Sequence, residues 1–440
     1  MTSTYSRRKF IKGAAAGMGY WVAMRYARGQ EGTSSSDKLN VALVGTAHRA
    51  GDDMNDLEKT GIVNFVALCD IDDHFLGAAS RRFPKAKTYT DFRQMLEQKD
   101  IDAVMCGTPD HMHAWVTLAA MRSGRNVYCE KPLAHSLEEV RLVQETAHKL
   151  GRVTQMGTQI HAEPNYRRVV EIIQSGAIGP VNEVHVYISK NWFQDKPARL
   201  GMAPPSYIHW DQWLGPVPER PYSPDYLPET WRRWWAFGEG TIGDMACHYV
   251  DLPKWALKLG VPTKVRSEGP PVHIDWCPEY LHVEYEFPAR GDMPAVKLTW
   301  SDGGHKPEVV SDTLKQLSKE RWPDGVLFIG EKGMLLADYT RHRLLPHDQF
   351  KDYKPPEHTI PPSIGHHKEW VIACMKNEPL APLCNFSYSA PLTEAVLLGA
   401  VAYRSGQPLE WDSENLKATN CPDADQFLRL RYRKGWNLHG

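Results

Sequence analysis

The chain has 440 residues, of which 52 are basic and 53 acidic. That balance excludes an electrostatic fit to nucleic acid or to an anionic membrane surface, and the length gives room for two domains, each with its own core. The hydrophobic content of 42% is ordinary for a soluble globular protein, but fifteen tryptophans, many crowded between Trp192 and Trp276, exceed what a core alone usually takes.

The first segment reads as an address. Ser6-Arg7-Arg8-Lys9-Phe10-Ile11 is a twin-arginine pattern, followed by a weakly apolar, Gly/Ala-rich run from Ile11 to Met24. That run is too short to span a bilayer as a helix, and the polar stretch Gly29 to Lys38 follows it. Residues 1–38 are expected to be an export signal and linker. The expected destination is periplasmic or secreted, with no membrane role beyond export. The twin-arginine route carries proteins that have already folded, which suits a chain that must capture a nucleotide in the cytoplasm.

From Leu39 apolar strands alternate with amphipathic helices. Strands are predicted at Leu39 to Val44, Val63 to Cys69, Ile101 to Cys106, Asn126 to Cys129 and Val153 to Met156. Helices are predicted from Asp52, over Met112 to Ser123, and over Ser136 to Leu150, where Ser136 and Glu139 form a capping box. Strict alternation predicts a parallel sheet with helices on both faces, a nucleotide-binding domain over residues 39–157. After Gly179-Pro180 the strands lengthen (Val181 to Lys190, Leu281 to Phe287, Ala295 to Trp300, Val326 to Ile329) and helices become few. A second domain over residues 158–440 is therefore predicted, with a large, open, mostly antiparallel sheet. Its Pro/Trp-rich stretch Gln194 to Trp235 is expected to be irregular. The final helices, between residues 366 and 405, are expected to pack back on the first domain. The fold class is α/β joined to α+β.

A dinucleotide-binding turn needs glycines after the first strand, for a tight turn, close pyrophosphate approach and close helix–sheet packing. The segment Gly45-Thr46-Ala47-His48-Arg49-Ala50-Gly51 keeps only the first, with alanine at the second and third positions. Asp70 ends the second strand, placed to accept both ribose hydroxyls, and its charge would repel a 2′-phosphate, so NAD is preferred over NADP.

Chemistry enters with Glu130-Lys131-Pro132, which closes the strand Asn126 to Cys129, and with Asp244-Met-Ala-Cys-His248 on a short helix. Asp244 and His248 lie one helical turn apart on one face. A carboxylate that orients an imidazole makes a general base, and a nearby ammonium lowers the pKa of an alcohol to be oxidised. The expectation is a base titrating near neutrality at His248, with His161 and Tyr249 as further candidates. Indole faces suit the CH-rich faces of sugar rings, and Trp192, Trp234 and Trp235 bracket the irregular stretch, so carbohydrate is the expected ligand. No metal site is expected: the eight cysteines show no CxxC spacing, and neither His366-His367 nor His111 and His113 has a carboxylate or thiolate at ligand spacing.

Four segments resemble the Gfo/Idh/MocA oxidoreductases, the family of glucose–fructose oxidoreductase and inositol dehydrogenase. They are Cys106-Gly-Thr-Pro-Asp-His-Met-His113, Glu130-Lys-Pro-Leu133, Gly176-Ala-Ile-Gly-Pro180 and Gly243-Asp-Met-Ala-Cys-His-Tyr-Val-Asp251. The resemblance implies a Rossmann domain followed by an α/β domain whose open sheet often forms a dimer interface, hence a homodimer or homotetramer. It implies a catalytic set Lys131, Asp244 and His248, a Lys-Pro bond that is often cis, and cofactor contacts from Thr108, Pro109, His113, Glu130, Lys131 and Gln159. Substrate contacts are expected from His161, Trp192, Trp235 and Tyr249. Exported members typically hold NAD very tightly. Three activities stay open: oxidation of a secondary hydroxyl of a sugar or glycoside, redox-neutral cleavage of a glycoside through a keto-sugar, and carbohydrate binding without catalysis.

Overall fold

The computed structural model describes residues 38–317 and 320–439. The export signal expected between residues 6 and 24 lies outside the described residues. Six parallel strands, β1 (Leu39–Val44), β2 (Val63–Cys69), β3 (Lys87–Tyr89), β4 (Ala103–Cys106), β5 (Asn126–Cys129) and β6 (Thr154–Met156), form a sheet in the order β3-β2-β1-β4-β5-β6. Strand order reverses between β1 and β4, which opens a crevice at their carboxyl ends. β4 is buried at every position and β1 at all but one, as strands covered on both faces should be. The helix Leu137–Leu150 starts on the expected capping box, and Gly151 ends it in the left-handed conformation, φ 60°.

The second sheet has nine strands in the order β13-β12-β11-β7-β10-β9-β8-β14-β15. They are β7 (Val181–Tyr187), β8 (Lys264–Glu268), β9 (His282–Phe287), β10 (Val296–Ser301), β11 (Gly325–Gly330), β12 (Gly333–Ala337), β13 (His342–Leu345), β14 (Leu409–Asp412) and β15 (Lys417–Ala418). Only β7 and β10 pair in parallel; the other neighbours are antiparallel. One face carries the core side chains Val184, Val186, Val283, Tyr285, Leu298 and Trp300. The opposite face divides in two. Across β8, β9 and β10 it is a charged ladder, with Lys297 3.2 Å from Glu284 and Lys264 3.9 Å from Glu286. Across β11 and β12 the helix Glu308–Gln316 covers it, setting Val310 against Leu327 and Leu336. That helix has no counterpart in the expected elements.

The helix His366–Lys376 packs on β1 and on the helix His48–Lys59, and the helix Phe386–Ser405 on the helix Leu137–Leu150 and β6. The stretch 194–235 is mostly irregular, with a helix at Trp210–Leu214 and a 3-10 turn at Thr230–Arg233. It has a core of its own around Trp213, Tyr226, Trp231, Trp234 and Phe237. It also docks on the first domain at the end of β2. The Asp73 amide donates to the Tyr207 carbonyl at 3.0 Å, the His209 amide to the Ile71 carbonyl at 2.9 Å, and the rings of His74 and Tyr207 stack at 4.1 Å.

Candidate active site

At the switch point the chain needs glycine twice. Gly45 has φ +92°, and a Cβ there would sit 2.8 Å from the Gly107 carbonyl oxygen; a Cβ on Gly107 would sit 2.6 Å from that of Ala50. The close approach that the fingerprint assigns to one turn is thus shared between the turns after β1 and β4. Gly107, in the Cys-Gly-Thr-Pro run, is the partner that sequence reasoning did not single out. The helix His48–Lys59 has no side-chain cap at its start, so its first N–H groups are left for an anion in the crevice.

Asp70 is held rigidly: Oδ2 accepts from the amide and the hydroxyl of Thr46, both at 2.8 Å, and Oδ1 from the Asp72 amide at 3.0 Å. It lines, with Gly45, Thr46, Ala47, Thr108, Pro109 and Lys131, a cavity of about 470 Å³. Tyr207, Trp231 and Arg232 of the inserted stretch and Trp436 near the C-terminus line the same cavity. His48, at φ +51°, turns toward Phe75 (5.2 Å between rings) and Glu229 (4.0 Å). Arg49 is engaged with Asp53 and Glu130, whose Oε1 also accepts from Gln159 Nε2 at 2.9 Å. Burial raises the Glu130 carboxyl to about 8. These residues brace the floor of the crevice. His113 does likewise: its ring nitrogens lie 2.6 Å from the Pro132 carbonyl and 2.8 Å from that of Thr108, fixing both loops.

The Lys131–Pro132 peptide is cis, as the resemblance implies. Lys131 Nζ donates to Asp244 Oδ1 at 2.8 Å and to the Asp244 carbonyl at 2.7 Å. The helix Gly240–Tyr249 carries Asp244 and His248 one turn apart, yet Asp244 does not orient the imidazole. Its carboxylate accepts instead from Lys131, from Lys190 Nζ at 2.9 Å, from Arg232 Nε at 3.2 Å and from the Trp192 indole N–H at 2.7 Å. Burial works to raise this carboxyl, but Lys131, Arg232 and Lys190 outweigh it and hold it well below the usual range. His248 Nδ1 is buried without a hydrogen-bond partner. Burial, and then Lys131, pushes its imidazole down to about 3, so the expected near-neutral titration at His248 is corrected to a histidine neutral throughout the physiological range.

Buried imidazoles held by a carboxylate lie elsewhere, among them His367, 2.9 Å from Asp53, and His161. His161 Nδ1 is 2.9 Å from Asp251 Oδ2, Tyr388 donates to the other oxygen at 2.6 Å, and the His161 ring stacks on Trp255 at 3.8 Å. No sequence signal joins residues 90 apart in this way. Tyr249 is buried and stacks at 4.4 Å on Tyr339, whose hydroxyl has no partner and whose ring lies 6.3 Å from that of His248. Of the tryptophans expected at substrate, only Trp192 reaches the catalytic group. Trp235 is in the core, donating to the His273 carbonyl at 3.1 Å, and Trp234 is likewise buried, donating to that of Asp225 at 3.1 Å. Lys190 and Arg232 were missed. Their signal was basic residues set among tryptophans at Lys190-Asn-Trp192 and Trp231-Arg-Arg-Trp234.

Among the described residues Cys106, His113 and Cys129 bring three ligand-type atoms together. Both nitrogens of His113 already face carbonyl oxygens, so a metal would have to displace one of them.

Residues 39–158 match the NAD-binding Rossmann fold of the GFO_IDH_MocA oxidoreductase family, and residues 165–293 match that family's C-terminal alpha/beta domain. The chain belongs to this family, and NAD is the cofactor of its first domain. Inositol 2-dehydrogenase of Salmonella typhimurium is 33% identical over 150 residues, 33% of this chain and 45% of that protein. Levoglucosan dehydrogenase of Pseudarthrobacter phenanthrenivorans is 24% identical over 195 residues, 43% of this chain and 42% of the relative. The chain spans less than half the length of these curated relatives. The crystal structure of the WlbA dehydrogenase from Bordetella pertussis, in complex with NADH and UDP-GlcNAcA, shares the fold with a TM-score of 0.59 at 18% identity, covering 85% of this chain and 99% of that one.

The residues present fit the cofactor. The paired glycines leave room for backbone approach, the uncapped helix start offers N–H groups, and Asp70 Oδ1 keeps one acceptor position for a ribose hydroxyl, its other three being taken by Thr46 and Asp72.

Proposed function

We propose that the protein oxidises a secondary hydroxyl of a sugar or glycoside with NAD held as a retained cofactor. The observation that carries this reading is Lys131, which lines the nucleotide cavity with its Nζ fixed on Asp244, one helical turn from a neutral His248 whose Nδ1 has no hydrogen-bond partner. NAD, when bound, supplies the hydride acceptor. The Lys131 ammonium stabilises negative charge growing on the substrate oxygen, and Asp244 holds that ammonium in place. His248, entering uncharged, takes the hydroxyl proton. The redox-neutral alternative uses the same residues and the same retained nucleotide.

The reading extends to export by the twin-arginine signal and to a homodimer or homotetramer through the open face of β8, β9 and β10. All eight cysteines are buried free thiols, which suits a chain that folds in the reducing cytoplasm before export. The test is an acid extract of gel-filtered protein, followed by sugar addition with the reduced-nicotinamide absorbance monitored. Retained NAD(H) that responds to sugar is expected. An extract without NAD(H), together with no binding of added NAD, would overturn every redox reading. A reduced nicotinamide that persists marks net oxidation, and one that appears only transiently while a glycoside is cleaved marks the redox-neutral reaction.

A further inference from the structure

We propose that the substrate is an acidic sugar, a uronate or glycuronide, whose carboxylate is received by Lys190 and Arg232. This rests on the reading above and names its substrate class.

The charges around Asp244 are out of balance. Three cations, Lys131, Lys190 and Arg232, converge on one carboxylate, Asp244. Among the described residues neither Lys190 nor Arg232 is ion-paired with any other acid. Arg233 adds to the surplus: its guanidinium lies 5.9 Å from the Trp192 ring, beside Arg232 at 5.3 Å and Lys190 at 4.9 Å. The remaining acids do not restore balance. Burial raises the Asp110 carboxyl to about 7, despite Arg232 and Lys131 nearby, and raises Glu239 behind it to about 8. Glu130 faces Arg49 and Gln159 instead. A ligand that supplies the missing negative charge gains from this surplus where a neutral sugar does not.

Anchoring Asp244 does not call for all three cations, since Lys131 and the Trp192 indole already reach both of its oxygens. The three are also graded in depth. The Lys131 side chain is 8% exposed, that of Arg232 16% and that of Lys190 45%. The deep ammonium thus meets the reacting hydroxyl, while the two more exposed cations reach the same carboxylate, Lys190 at 2.9 Å and Arg232 at 3.2 Å. They arrive from different directions, Lys190 just beyond β7 and Arg232 from the inserted stretch. Both lie over the ring of Trp192, which ties them to one another.

The test titrates the NAD-loaded protein with D-glucuronate against D-glucose and D-galacturonate against D-galactose, following tryptophan fluorescence at constant ionic strength. In wild type each acid should bind about tenfold tighter than its neutral parent, and added salt should erode that ratio. In Lys190→Gln and Arg232→Gln the ratio should collapse toward one. Acids that bind no tighter than their parents in both pairs overturn the proposal, as does a preference that survives both substitutions. Nicotinamide reduction in the same samples judges the parent reading separately. Reduction by neutral sugars without acid preference sinks the acidic substrate alone. Acid preference without reduction keeps the carboxylate subsite and sinks the oxidation, and no binding by any of the four sugars overturns both.

Discussion

Asp244 and Lys131 form one ion pair, but removing either end has different consequences. Lys131→Met leaves Asp244 with Arg232, Lys190 and the Trp192 indole, so the fold should hold while the charge that stabilises the reacting oxygen disappears. Turnover should drop roughly a hundredfold, about 3 kcal/mol, the typical worth of one electrostatic donor in such a site. Asp244→Ala strands a buried Lys131 without a counter-charge, a change that costs about 3–5 kcal/mol of stability. Thermal melts of the two variants decide: an Asp244→Ala melting no lower than Lys131→Met means Asp244 is not the charge hub. The expected meeting of Lys131 with Asp244 is present, and the expected pairing of Asp244 with His248 is not. An i,i+4 spacing establishes a shared helix face, and Asp244 and His248 do share one. The carboxylate's partners were set by Lys190 and Arg232, which arrive from other elements, and a helix-face argument has no view of those. His161 failed the same way in reverse: its orienting acid, Asp251, comes from the start of another helix.

At the scale of elements, legibility followed burial. β1, β2 and β5 are apolar apart from one asparagine each, Asn40, Asn64 and Asn126, because the first sheet is largely covered on both faces, and their limits are readable to the residue. β8 buries only Val265 of Lys-Val-Arg-Ser-Glu, and β3, β14 and β15 are short, so neither period nor composition marked them. The inserted stretch was read as irregular, but its docking on the first domain was not visible, because backbone pairing of Tyr207 and His209 with the end of β2 leaves no side-chain signature. That docking is tied down by the C-terminal segment. Arg433 donates to the Gly215 carbonyl and, at 2.6 Å, to Asp211, while Trp436 lines the nucleotide cavity. Arg433→Ala should loosen this cover and accelerate nucleotide loss about tenfold or more, measured as NAD(H) remaining after timed dialysis. Loss at the wild-type rate would mean that the C-terminal segment does not help retain the cofactor.

Taken whole, the molecule buries titratable groups of opposite tendency, and they set an unusual pH profile. Burial lowers His111 and His113 to about 4 and His135 and His248 to about 3. Against an unfolded value of about 6.5, their contribution is complete above that pH and is lost as pH falls toward 3 to 4. Burial raises Asp110, Glu139 and Asp302 to about 7 and Glu130 and Glu239 to about 8. Their unfolded values are near 4, so the folded state holds protons the unfolded chain has released, and that stability is lost as pH rises through 7 to 8. Between about pH 4 and 6.5 the two sets oppose each other. Above 6.5 the histidines are neutral in both states and the carboxyls dominate up to about pH 8, each still-protonated carboxyl worth about 1.4 kcal/mol per pH unit, while Lys254, lowered by burial to about 8, works against them only above that pH. The NAD-loaded protein should therefore be most stable in the weakly acidic range and should lose several degrees of Tm between about pH 6.5 and 8.5. Scanning calorimetry across that interval is the check. A Tm that stays level or climbs would show that these carboxyls ionise without cost, and that the surplus of positive charge around Asp244 is already balanced from within the protein.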